Sequence, residues 1–209
     1  MKQSDDITTN AYNFGQLFSC GVDEKTAIYN MSFNIAELHS CGNLRFIAKI
    51  GYNPLSRDNV GFGIGWSLNL SHYDIHNKIV SLSDGKSFRI ISAGANNVKC
   101  RYLKDDKDIS IKLKNNCLLI THKDGTIEEF DSFGNISKLI SPSGHWHKYQ
   151  FQNNRLFSVI DTENKNLTFE YTSNGVSIYN SNSEVTCVCH ISSSLLKRVI
   201  FGKENNINI

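Results

Sequence analysis

Between Asp124 and Tyr179 the chain states one pattern three times, in the segments Asp124–Ile140, Ser143–Ile160 and Asn164–Tyr179. Each is a polar turn, an alternating strand that carries aromatics, a second polar turn and an aliphatic strand. The aromatic that closes the first strand recurs about every 20 residues, as Phe130, Phe151 and Tyr171, the signature of a repeat built from two short strands. One such hairpin cannot bury its apolar face alone and becomes stable only by stacking on its neighbours. The expected fold is all-β: stacked antiparallel hairpins forming one twisted, partly curled sheet. Function is then expected to reside in that surface rather than in a compact catalytic pocket.

With 209 residues, 40% hydrophobic and 20% charged, the chain can bury a core and is not of disordered type. Two prolines against 14 glycines suit strands and tight turns. The net charge of +2 and the lack of a basic stripe give no footprint for nucleic acid. No stretch has the length of a membrane span. The N-terminus has no apolar signal region, so the expected location is cytoplasmic, or outside the cell by a route without a classical signal peptide. The six cysteines, Cys20, Cys41, Cys100, Cys117, Cys187 and Cys189, are accordingly expected to be reduced.

Three regions are expected. Residues 1–26 form a polar, loosely held arm. Residues 27–122 form an N-terminal β region, with strands from Ala27 to Ala36 and from Leu44 to Tyr52. Residues 123–209 hold the hairpin repeats and a C-terminal edge. Asp84-Gly85 and Asp124-Gly125 are hairpin-turn signals, and 114–116 reads as a further turn. Within Gly61–Leu70 the residues Phe62, Ile64, Trp66, Leu68 and Leu70 alternate with Gly61, Gly63, Gly65, Ser67 and Asn69. This alternation predicts a strand with one apolar face, and with another backbone lying close against its glycine face. After Tyr179 the repeat weakens. Val185 to Ile191 and Leu195 to Phe201 read as one more strand pair, followed by a polar tail from Asn205.

Residues with chemical potential are few. Cys187-Val188-Cys189-His190 is the best metal-ligand grouping, since zinc accepts thiolate and imidazole, but it lacks a second ligand pair and no metal or other cofactor is expected. His145 and His147 flank Trp146 and are read as a polar outer face, with the tryptophan turned inward. The carboxylates Glu128, Glu129, Asp161 and Glu163 lie in or beside turns, and Glu128 and Glu129 fall on opposite faces of a strand. No Gly-x-Ser-x-Gly motif is present, so no catalytic residues are assigned and no enzyme is expected. Trp146 and Tyr149 are candidates for stacking on a sugar ring, which makes a carbohydrate-binding module the main alternative.

Two sets of residues resemble the RHS/YD-repeat family. One is the run from Tyr52-Asn-Pro-Leu to Gly63-Ile-Gly65-Trp66-Ser-Leu, similar to the segment that precedes the repeats in many RHS proteins. The other is the pattern Asp124-Gly125…Phe130-Asp131-x-x-Gly134-x-Ile136 and its two followers. The resemblance implies a long β-sheet spiralling into a shell around a toxic domain in bacterial toxin systems. The chain is then expected to be the opening, structural part of such a shell. Its C-terminal edge strands would pair with a second copy or with a longer RHS protein. An adaptor or immunity-like partner of such a protein is a further alternative.

Overall fold

The computed structural model describes residues 18–22, 29–42, 44–93, 98–102, 109–114, 117–202 and 205–208. Among these residues there is no helix, and all sheets are antiparallel and open. Among the described residues, therefore, no helix is long and apolar enough to cross a membrane. The strands are β1 (Phe18–Val22), β2 (Tyr29–His39), β3 (Arg45–Tyr52), β4 (Trp66–Leu68), β5 (His72–Asp74), β6 (Ile79–Ser81), β7 (Ser87–Ala93), β8 (Val98–Tyr102), β9 (Ile109–Lys114) and β10 (Cys117–His122). They continue with β11 (Ile127–Phe130), β12 (Ile136–Ile140), β13 (Trp146–Gln152), β14 (Arg155–Asp161), β15 (Asn166–Thr172), β16 (Gly175–Asn180), β17 (Val185–Ser192), β18 (Leu195–Phe201) and β19 (Asn205–Asn208). Three sheets result: β1 to β4, β5 to β8, and an 11-stranded sheet in which β9 to β19 follow one another in chain order. The stacked hairpins of the repeat make up this last sheet.

Two turn types join its strands, and each has a local cause. The wide turns begin at His122, Ser141, Asp161 and Asn180, whose backbone N–H bonds the carbonyl four residues on. Their fourth residue is left-handed: Gly125, Gly144, Asn164 and Ser183 have φ between 60° and 87°. A carboxylate or amide at the first position reinforces the turn, an Asx arrangement. Asp161 Oδ1 accepts the N–H of Glu163 and Lys165, and Asn180 Oδ1 those of Asn182 and Glu184. At the alternate strand ends Asp131 builds the same turn, through Phe133 and Asn135. Tight turns follow at Asn153-Asn154 and Ser193-Ser194, both residues of each pair having positive φ. This is the mirror-image geometry whose twist matches the flanking strands.

The chain divides into two compact units, and neither ends at residue 122, where the sequence placed a boundary. The first comprises Met1–Glu37, Ile47–Asn69 and Glu170–Ile209; the second comprises Leu38–Phe46 and Leu70–Phe169. In the first, Phe33, Ile35, Ile50, Phe62, Trp66, Val176, Ile178, Leu196 and Val199 are buried. Trp66 lies between Phe33 and Tyr52, at ring separations of 5.5 and 5.2 Å. In the second, Phe46, Val80, Phe88, Leu118, Ile120, Phe130, Leu156, Val159, Leu167 and Phe169 are buried. Of the three repeated aromatics only Phe130 is fully buried. Phe151 and Tyr171 are half-buried, and a bulge at Gln150/Phe151 interrupts the alternation.

Three expectations change. Of the expected N-terminal arm, residues 18–22 form β1, paired along its length with β2, and the rest lies outside the described residues, as does most of the turn at 114–116. The glycine-rich segment is a strand only over Trp66–Leu68. Gly61, Gly63 and Gly65 have φ of 115°, 97° and 83°, a region that costs a side chain dearly, so the alternating glycines serve a folded loop and not a strand face. Close backbone approach is nevertheless present. Ile64 N–H bonds the Ser194 carbonyl, and a Cβ on Gly63 would stand 2.7 Å from the Leu196 nitrogen. Finally, the polar tail is β19, which pairs with β18 from Arg198 to Phe201. The C-terminal edge of the sheet is therefore Asn205–Asn208 and not β17 or β18. Asn205 to Asn208 meet the last four residues of β18 in regular register.

Gly63→Val should lower the stability of the protein by about 1–3 kcal/mol, from overpacking and unfavourable φ together. Urea unfolding of the variant against the parent checks this, and an unchanged midpoint at unchanged slope contradicts the packing described.

Candidate functional site

In the second unit, pairing registers place Ile111, Ile120, Glu128, Leu139, His147 and Asp161 in one row across β9 to β14. Residues directly opposite one another share a face, and the apolar members show which face: Ile120 is fully buried. Glu128, His147 and Asp161 therefore point into the core, and both His147 and Asp161 have 0% exposure. This reverses the expected phase of the strand at Trp146. The wide turn ends at His145, so β13 begins with Trp146 half-exposed and His147 inward. Lys138 lies over the Trp146 ring at 5.2 Å. The length of the turn, not the size of the tryptophan, decides which side chain is buried.

The loop between β2 and β3 docks here residue by residue. Ser40 Oγ lies 2.8 Å from His147 Nε2. The Cys41 thiol donates to Glu163 Oε1 at 2.7 Å. Gly42, at φ 68°, sits so close to the His145 ring that a Cβ would collide with it. The loop is closed by Ser40 N–H to the Leu44 carbonyl. Phe46, on β3, packs edge-on against both His147 and Tyr149, at 6.3 and 5.7 Å.

Burial pushes His147 down to about 4, and the Asp161 charge on the facing strand offsets this only in part. The ring is thus neutral at pH 7 and carries one N–H. The negative charge of Asp161 favours placing that hydrogen on Nδ1, which leaves Nε2 to accept from the Ser40 hydroxyl. Asp161 Oδ1 is occupied by its own turn. Its Oδ2, His147 Nδ1 and Glu128 Oε2 are buried without a hydrogen-bond partner. Glu128 Oε1 lies 2.9 Å from His122 Nε2, and that hydrogen bond raises His122. At the exposed rim the Cys41 bond and, after it, Lys165 at 2.7 Å hold Glu163 low. The same bond raises Cys41 and so keeps it a thiol.

Other sequence candidates do not converge. Cys187 and Cys189 are buried while His190 is exposed, so the strand's alternation sends the imidazole to the opposite face from the thiols. Cys187 is pushed up by its hydrogen bond to Cys189 and by burial. The five cysteines whose side chains are described, Cys20, Cys41, Cys117, Cys187 and Cys189, are free thiols. Among the described residues no three His, Cys, Asp or Glu side chains converge as metal ligands. Tyr149 is buried, and burial raises its hydroxyl far above the usual range, so it offers no ring to a sugar. Glu128 and Glu129 do lie on opposite faces, one buried and one half-buried. The sequence reading missed Ser40, which lies 107 positions from its partner. The one local signal was Asp161 heading a turn directly opposite a histidine.

No protein-family model matches the chain, and a search of curated proteins finds no relative.

A histidine held below its ordinary value makes folding bind fewer protons than unfolding does. Its stabilisation is full above about pH 6.5 and falls as pH drops from there toward about 4. The loss is on the order of 3 kcal/mol at most. His122, shifted the opposite way, contributes below the unfolded histidine value and opposes this in part. His147→Gln should therefore flatten the decline of the urea midpoint between pH 6.5 and 4. An equal slope in the two proteins means that His147 does not resist protonation.

Proposed function

We propose that the chain is a structural segment of an RHS-type β-shell from a bacterial toxin system. One observation carries the reading: eleven strands follow one another without a crossover, joined at alternate ends by two turn types that recur about every 20 residues. Asp161 and Asn180, one repeat apart, give their turns the same hydrogen bonds, as a sheet extended by duplication of one unit requires. Its role is to extend and hold a surface, without catalysis as its main task. A sugar-binding role has less support, because Tyr149 is inside and Trp146 is covered on one face by Lys138.

A strand with one partner leaves half of its N–H and C=O groups for another chain. In this reading β19, the last strand of the long sheet, is where a second copy or a longer RHS protein would add its own strand. Light scattering over a dilution series should show self-association at high micromolar concentration, altered by deletion of residues 203–209. A strictly monomeric protein whose state the deletion leaves unchanged overturns the edge-pairing reading.

A further inference from the structure

The repeat shows what its own architecture needs at the buried polar row. The wide turns start at His122, Ser141, Asp161 and Asn180, and the residue six places on is Glu128, His147, Leu167 and Thr186. Leu167 is buried, so an apolar side chain satisfies the fold at this position. Asp161 is likewise the one turn-starting residue of the four that is fully buried. Its turn uses a single oxygen and leaves Oδ2 over. His147 and Asp161 face one another on paired strands, each with a buried polar atom without a partner. On the other side of the ring, Nε2 holds the hydroxyl of Ser40 at 2.8 Å. Ser40 is half-buried, and Cys41 and Gly42 beside it are exposed.

The geometry points to Ser40 as a nucleophile toward carboxylic esters, with His147 as its general base and Asp161 as the charge that faces the ring. A hydroxyl bonded to an imidazole that faces a carboxylate follows the order that activates a serine on unrelated folds, although Nδ1 and Oδ2 are not hydrogen-bonded in the resting protein. Ser40 Oγ bonds the ester carbonyl carbon as its proton passes to His147 Nε2. The adduct collapses, the bond to the alcohol oxygen breaks, and Nε2 returns the proton to the leaving alkoxide. Water repeats the sequence, releases the carboxylic acid and restores Ser40, so the only co-reactant is water. The ring is neutral in the resting protein and therefore able to accept. The Asp161 charge on the facing strand favours the imidazolium as it forms and offsets in part the basicity that burial removes.

This inference is independent of the shell reading, since a structural segment can carry such a site or lack it. The test uses a fluorophosphonate probe at pH 8, with the adduct mapped by mass spectrometry. The phosphorus takes the place of the acyl carbon and fluoride leaves. The folded protein is expected to carry one adduct, on Ser40, and Ser40→Ala none. The urea-unfolded chain should lack it. His147→Gln should slow labelling by ~100-fold or more, and Asp161→Asn, which keeps the Oδ1 acceptor of the turn, by ~10-fold or more. Absence of an adduct on Ser40 in the folded parent overturns the proposal, as does equal labelling of the unfolded chain. Undiminished labelling of both folded variants does the same. Where His147→Gln does not fold, the parent, its unfolded form and Asp161→Asn decide.

Discussion

Register is the constraint on which the rest of this structure depends. Side chains on a strand alternate with a period of two, so a slip by one residue would send every inward group to the surface. Here the slip is prevented at the strand ends. A wide turn that must close four residues on, with a left-handed fourth residue, admits one pairing of the strands it joins. Asp161 and Asn180 lock that choice by accepting two backbone N–H groups on a single oxygen. The mirror-image turns at Asn153-Asn154 and Ser193-Ser194 do so at the opposite ends. Bulges at Phe130, Phe151, Tyr179 and Ile191 then absorb the residues that the two turn types leave over.

The same constraint explains what was legible in the sequence. Strand against turn could be read almost everywhere, because alternation and turn residues are local. The hairpin order could be read from the repeat, since each unit must stack on the next. Phase was harder. Trp146 looked like the inward residue of its strand because it is large and apolar. The turn that ends at His145 overrules that preference and buries His147 instead. At Gly61, Gly63 and Gly65 the alternation that reads as a strand arises from a different cause. A loop that needs positive φ at every second residue writes the same pattern as a one-sided strand. Nothing in the spacing separates the two until the neighbouring backbone, at Ser194 to Leu196, is in place.

The candidate site was illegible for a third reason. Ser40 belongs to a hairpin loop far from β13 in the chain, and no local pattern announces a contact made by tertiary docking. Only the docked loop shows that Ser40, Cys41 and Gly42 meet His147, Glu163 and His145 in turn. Cys41 illustrates how neighbours set the chemistry of such a loop. An exposed thiol is ordinarily the more reactive group, yet the Glu163 carboxylate beside it disfavours the thiolate. The weaker nucleophile, Ser40, is the one that has a base.

Energetics separate the site from the scaffold that bears it. A buried polar atom left without a hydrogen bond costs about 1–3 kcal/mol, and three such atoms lie in one row of the second unit. Asp161 Oδ2 comes with the carboxylate that locks its turn, but nothing in the turn geometry asks for those of Glu128 and His147, since Leu167 fills the equivalent position of the next hairpin without loss of register. Replacing His147 by leucine would remove one orphan atom and add apolar contact with Phe46, at the loss of the Ser40 bond. By the bookkeeping of burial alone, such a core would be at least as stable. The chain instead keeps an imidazole between a hydroxyl and a carboxylate at the end of the sheet where the β2–β3 loop docks. A fold built from one repeated hairpin shows best, at the positions where the repeat is broken, what the repeat itself does not need.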